Sequence, residues 1–348
     1  MKWNLKNIEY TGILAPLLSV VLALLVGSVF ILMTGSSPLE AYTVLFQQSL
    51  GSWDAFALTL QRATPLVFTG LAVAFAFRCG LFNIGAEGQL YMGGLAAVWV
   101  GLTFAGLPRF IHIPFAIAAA MLLAGIWGSI PGILKAKLGV HEVINTIMLN
   151  FIAYYLTDFL VIGPLHGGRA GPETDRVLET ARLARLMPPS RVTTAIFIAI
   201  AAAIVVYFIL FRTKLGYEIR AVGINPDGAQ YGGINVSRNI ILAMVISGSL
   251  AGLAGAEQVL GLHTRFIQRF SPDLGFMGIA VALLGRNHPF GVLLAALLFG
   301  ALNAGGAAMD RMTDVPRELI VIIQALIIFF VAADQLIRGI LKRRRRAA

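Results

Sequence analysis

Charge is what this sequence lacks most. Only 13% of its 348 residues are Asp, Glu, Lys or Arg, where a soluble domain carries roughly a quarter. A chain so poor in charge, 58% hydrophobic and with a mean hydropathy of +0.82, belongs in a membrane. Cysteine is all but absent, and Cys79 alone excludes an internal disulfide framework and any cysteine-based metal cluster. The five histidines (His112, His141, His166, His263 and His288) are scattered without ligand spacing, so no metal and no other cofactor is expected. There is no GxxxxGKS/T phosphate loop, no HExxH and no GxSxG, and no paired acids at membrane depth. These absences argue against an enzyme, and nothing here hydrolyses ATP.

What the chain does have is apolar runs of about 20 residues, the length that crosses a bilayer. They cover Gly12 to Met33, Ala55 to Phe77, Gly80 to Phe104, Ile111 to Leu134, Val143 to Ile162, Val192 to Phe211, Ile240 to Leu262, Gly275 to Leu284, Pro289 to Ala308 and Leu319 to Ile340. The expected fold is all-α: a polytopic integral membrane protein of about ten helices, two of them irregular, forming one transmembrane domain over 1–348. The first run is too long for a secretory signal and lacks a small-x-small cleavage site. Lys and Arg mark cytoplasmic loops, and Lys135, Lys137, Arg212, Lys214, Arg220, Arg238, Arg286 and the tail at 341–348 all fall on one side. Both termini are then expected inside. The loop from Pro164 to Arg191 would lie outside despite five arginines. The net charge of +10 follows from this bias, with the tail touching anionic lipid and no nucleic acid as partner.

Three stretches depart from plain spans. Around 212–239, "RTKLGYEIRAVGINPDGAQYGGINVSRN" fits a short helix from Asn225 to Tyr231, with Asn225 as cap, Pro226 in the first turn, Asp227 at the positive end and a double glycine as stop. Such a helix between two spans is either a handle for a soluble partner or an ordinary connection. "SGSLAGLAGAEQVLGL" sets Gly248, Gly252 and Ala256 four residues apart, a pattern that lets membrane helices approach closely. "FAFRCGLFNIGAEGQLYMGG" puts Arg78, Asn83, Glu87, Gln89 and five glycines where a span should run unbroken.

Together, "GLFNIGAEGQLYMGGLAA", "GVHEVINTIMLNFIAYYL", "TKLGYEIRAVGINPDGAQYGGINVSRN" and "SGSLAGLAGAEQVLG" resemble the permease subunits of bacterial ABC importers, those of the ribose and branched-chain amino acid systems. The resemblance is nearest to the nucleoside (basic membrane lipoprotein) branch and covers about Ser37 to Leu336. It implies a bacterial inner-membrane importer in which this chain pairs with a second, usually non-identical permease. It also implies a cytoplasmic ATPase with two nucleotide-binding halves and an external substrate-binding lipoprotein. The segment Lys214 to Gly233 would contain the helix that docks on the ATPase, with Gly223, Asn225, Pro226, Asp227, Gly228 and Tyr231 as coupling residues. The solute would be a nucleoside or a similar small, sugar-like molecule.

Irregular backbone at membrane depth survives only when buried in protein or lining a cavity, so the stretch at Gly80, Gly85 and Gly88 reads as a helix break facing inward. "GRNHPFG" suggests a second break, and broken helices in both halves point to a transport path. "GLAVAFAFR" from Gly70 and "GIAVALLGR" from Gly278 align, with Arg78 and Arg286 at one offset; chance similarity in such composition is the alternative. In the pathway reading Asn83, Glu87 and Gln89 contact the solute while Gly85 and Gly88 admit close approach, and Arg62 in the preceding span is a further pathway candidate. In the structural reading Glu87 ties the break to Arg62 or Arg78. A rival of another class is an ion-coupled secondary transporter using Glu87, Asp158 or Glu257. A receptor or scaffold would leave the polar breaks without purpose.

Overall fold

The computed structural model describes residues 6–347 except 169, 189, 314 and 317, with side chains described from 18 to 331 (the same four apart) and at 333. The basic tail's side chains lie outside the described residues. Thirteen α-helices run through the described residues: α1 (Lys6–Met33), α2 (Pro38–Leu50), α3 (Trp53–Arg78), α4 (Ala86–Thr103), α5 (Arg109–Leu138), α6 (Glu142–Ile162), α7 (Ala195–Arg212), α8 (Lys214–Ile224), α9 (Pro226–Tyr231), α10 (Val236–Glu257), α11 (Leu274–Leu284), α12 (Pro289–Met312) and α13 (Glu318–Ala347). The protein is all-α and polytopic. Six helices are individually long and apolar enough to cross a membrane: α3, α5, α6, α7, α10 with its continuation to Leu262, and α12.

Each of the ten expected spans coincides with a helix, but four details differ. The third begins at Ala86 rather than Gly80, because 79–85 is irregular. The sixth begins at Ala195, since Val192 and Thr194 pair with the chain at 184–186. The eighth, α11, has 11 residues and at 1.5 Å each is about 16 Å long, half a bilayer core. Finally α2, which the span list leaves in a loop, is a helix bent 120° from α1, started by Ser37, whose hydroxyl accepts the Glu40 amide.

Two compact units emerge, 1–59 with 298–348, and 60–297. In the first, α1 packs along α13, and the Tyr42 hydroxyl pins α2 to the Leu24 carbonyl at 2.6 Å. In the second, α4 is the central post, buried on every side from Ala86 to Val98. It packs against α5, α6, α10 and α11. Small residues allow this: a Cβ on Gly252 would fall 2.6 Å from both the Ala120 carbonyl oxygen and the Ala124 Cβ of α5, and one on Gly248 would strike the Ala124 carbonyl. The small-residue strip read from the sequence is thus the seam between α10 and α5.

Both expected breaks are present. Helix α3 closes with Leu81 N–H to Ala76 O (3.1 Å) and Gly80 N–H to Phe77 O (3.0 Å), with Gly80 left-handed at φ +75, the arrangement that ends helices at a glycine. Helix α11 closes likewise, Asn287 N–H to Ala282 O (2.9 Å) and Arg286 N–H to Leu283 O (3.0 Å), but with Arg286 and Asn287 themselves at φ +53. The strained turn has a clamp: Arg78 Nε donates to the Asn287 carbonyl at 2.8 Å and its Nη2 to the Arg286 carbonyl at 3.4 Å. The two aligned segments therefore pack on each other, Gly70 against Val281 and Gly278 against Thr69.

Candidate functional site

Asn83 organises the α3–α4 break. Its Nδ2 donates to Gln89 Oε1 at 2.9 Å and to Ser247 Oγ of α10 at 2.8 Å, while its Oδ1 accepts from the Gly85 amide at 3.0 Å and Gln89 Nε2 at 3.2 Å. Ser247 in turn donates to the Ala72 carbonyl of α3 at 2.6 Å. From α6, Asn150 accepts the Gly88 N–H at 2.8 Å and donates to the Ile84 carbonyl at 3.0 Å. All four polar side chains are buried. A buried polar network is rigid when satisfied and costly when broken, so this one fixes segment 79–85 against three helices.

Glu87 sits in the first turn of α4, fully buried. Its carboxylate accepts the Gly275 N–H at the start of α11, among the Ser271 and Tyr154 hydroxyls and the Asp273 carboxyl. Among the described residues it forms no ion pair. This corrects the expectation of a tie to Arg62 or Arg78: Arg78 clamps the α11 turn, and Arg62 lies in the field of His263 together with Arg191 and Arg265. Asn83, Glu87 and Gln89 are thus brought together at the break, and Arg62 is not. Gly85 and Gly88 are where α6 comes close: Cβ atoms there would fall 3.0 Å from Thr146 Cβ and 2.8 Å from Asn150 Oδ1.

The polar segment after α7 is more ordered than a loop. Thr213 caps α8, its Oγ1 accepting the Gly216 amide at 3.2 Å, so Lys214–Ile224 is a helix that the glycines at 216 and 223 hide in the sequence. Asn225 ends α8 and caps α9, accepting the Gly228 amide at 3.0 Å, with Pro226 and Asp227 in the first turn. Tyr231 is 98% exposed and Ile224 86%, large apolar groups held out on a short rigid helix pair. Gly223 is placed differently from these two. Rather than facing outward with them, it lies against the break: a Cβ there would strike the Arg78 carbonyl and fall 2.9 Å from Gly80 N. Beside it, the Arg78 and Arg220 guanidinia lie over the Phe211 ring at 5.5 and 5.2 Å, an arrangement that holds α8 to the end of α7.

A family model described as the permease component of branched-chain amino acid transport systems matches residues 55–332. The chain belongs to this permease family. It is 43% identical over 333 residues to the guanosine ABC transporter permease protein NupP of Bacillus subtilis (strain 168), covering 94% of this chain and 95% of that one. It is 38% identical to the nucleoside ABC transporter permease protein NupB of Lactococcus lactis subsp. cremoris (strain MG1363), covering 97% and 95%. To the glucose ABC transporter permease protein TsgB13 of Haloferax volcanii it is 36% identical, covering 92% and 87%. As an ABC permease with these apolar helices, it is a multi-pass protein of the plasma membrane. For this permease, sequence reasoning missed Ser247, Asn150 and the Gly275 amide. Asn150, the deeper of two asparagines in the apolar helix α6, was an available signal, since polar groups at membrane depth need partners.

Proposed function

We propose that this permease is one of two non-identical membrane subunits of an ABC importer that brings a nucleoside into the cytoplasm. A separate ATPase docks on α8 and α9, and an external lipoprotein delivers the solute. Both chain termini and the segment 212–239 face the cytoplasm. The observation that carries the coupling role is the seat of α8 on the helix break. Backbone at Gly223 touches Arg78 to Gly80, three residues before Asn83, so a push on α8–α9 reaches the buried network without crossing a flexible loop. Tyr231 and Ile224 offer the docking surface, with Asn225, Pro226, Asp227 and Gly228 holding its shape. A second, non-identical permease is supported by the relatives, since this chain is similar both to NupP and NupQ of Bacillus subtilis and to NupB and NupC of Lactococcus lactis. Asn83 and Gln89 spend their hydrogen bonds inside one chain, and the solute path runs along the face shared with that subunit. In this reading Glu87 and its neighbours set the shape of that face. The guanosine and nucleoside relatives, near-complete in coverage, favour a nucleoside over a hexose.

The ion-coupled rival is set aside by membership of an ABC permease family, and its proposed carboxylates are engaged: Asp158 pairs with Arg269 at 3.0 Å, and Glu257 accepts from Gln258 at 2.7 Å. The complete complex, reconstituted in proteoliposomes, tests the proposal. Labelled guanosine should enter only with ATP and magnesium, compete with adenosine and be indifferent to a protonophore. Uptake abolished by the protonophore, or glucose carried in place of guanosine, would overturn it.

A further inference from the structure

At the end of the 60–297 unit away from α8, five guanidinium groups converge. Arg176, Arg182, Arg185, Arg191 and Arg265 line one cavity of about 450 Å³ that also holds His263. Its walls are built from paired backbone rather than loose loop. Thr174 and Val177 N–H groups donate to the Phe266 and Thr264 carbonyls at 2.9 and 2.8 Å, and Leu183 N–H to Leu260 O at 3.0 Å. Leu186 N–H to Val192 O (2.8 Å) and Thr194 N–H to Ala184 O (2.9 Å) close a hairpin that carries Arg185 and Arg191. The arginines are thus mounted on three tied segments.

Among the described residues only part of this charge is answered. Arg265 pairs with Glu173 at 2.7 Å, and Arg182 with the exposed Glu179 at 3.6 Å while its Nε donates to the Val177 carbonyl at 3.0 Å. Among the described residues Arg176, Arg185 and Arg191 form no ion pair. Burial and the Arg191, Arg265 and Arg62 guanidinia hold the His263 imidazole below its ordinary pKa, so His263 supplies a neutral donor or acceptor in the cavity rather than a further charge. Membrane insertion concentrates Lys and Arg in the short loops of one side only, and α7, 18 residues and about 27 Å long, separates this cluster from the basic segment at Arg212 to Arg220. Charge kept here runs against the insertion bias and calls for an anion.

We propose that this cavity binds a phosphoryl anion, either free in solution or as the headgroup of an anionic lipid. Guanidinium forks match phosphate oxygens bidentately and stay charged at any working pH. A phosphoryl group offers three acceptor oxygens and up to two charges, enough to engage several forks at once, where a single carboxylate engages one or two. The volume lies within the range of small-ligand sites, about 300–1,000 Å³, with room for the group that bears the phosphate. The inference goes beyond the importer reading: this chain alone forms the cavity, and only its place on the outer face rests on the orientation proposed above.

The test titrates inorganic pyrophosphate into the purified full-length permease complex in phosphatidylcholine nanodiscs, alongside native mass spectrometry of complexes from phosphatidylglycerol bilayers. The comparison is Arg185→Gln with Arg191→Gln, two changes on a hairpin held by its backbone; Arg212→Gln, at the other end of α7, is the control. If the anion is free, pyrophosphate binds the wild-type complex and the control, and the double variant at least about tenfold more weakly, the loss of roughly one charge-assisted hydrogen bond. If it is a headgroup, phosphatidylglycerol remains on the wild-type complex, is lost from the double variant and is displaced by pyrophosphate. Neither pyrophosphate binding nor lipid retention above the double variant overturns the proposal. Loss of binding-lipoprotein capture in the double variant, with no anion bound by the wild type, also overturns it and assigns the arginines to protein carboxylates.

Discussion

Asn83 does the work of several residues because each of its polar atoms has a partner. Replacing it by Leu keeps the bulk but strands the Gly85 amide and the Gln89 side chain, at about 1–3 kcal/mol for each buried unsatisfied group. The expected outcome for Asn83→Leu is a lower thermal midpoint of the detergent-solubilised permease and reduced membrane yield, with Ser247→Ala showing a smaller drop of the same sign. An unchanged midpoint for Asn83→Leu would mean that the network does not hold the break. Glu87 behaves differently. Its carboxylate accepts the Gly275 N–H, which a glutamine oxygen also accepts. Glu87→Gln should therefore keep near-normal yield and midpoint, whereas Glu87→Leu, which leaves that amide unpaired, should lose both. Low yield for the glutamine variant would show that the negative charge itself is needed for folding.

At the scale of elements, α8 and α9 divide two tasks that one polar stretch conceals. Gly223 packs inward on Arg78 to Gly80, while Tyr231 projects into solvent. Overpacking a close contact costs about 1–3 kcal/mol, so Gly223→Val should lower the thermal midpoint of the permease even without its ATPase. Tyr231→Ala should leave that midpoint unchanged and reduce the ATPase recovered with the permease, and guanosine uptake with it. Equal stability in the two variants would refute the division. The caps of α9 were legible in the sequence because Asn, Pro, Asp and Gly act on their nearest neighbours. That Gly223 faces the break was not legible, since either face of α8 offers small residues.

For the molecule as a whole, the proposed orientation predicts opposite accessibility at the two ends of α7. With Cys79 replaced by Ser, a cysteine at the exposed Met187 should react with an impermeant maleimide on intact cells, and one at Tyr231 only after the membrane is opened; the reverse pattern would invert the topology. Tyr231 is the sound probe because Ala229, its neighbour in the same helix, is buried. By itself the sequence determined the membrane class, the ten helical segments, both helix breaks and the short capped helix α9. All of these follow from local composition, from the roughly 20-residue reach of a bilayer helix, and from residues that act within one turn. Only the tertiary structure decided that Asn83 meets Ser247, 164 residues away, that Glu87 takes the Gly275 amide, 188 residues away, and that arginines from 176–191 and 265 share one cavity. Those pairings are made by helices sliding together along small-residue seams until buried polar groups find partners, and no local pattern records which partner that is.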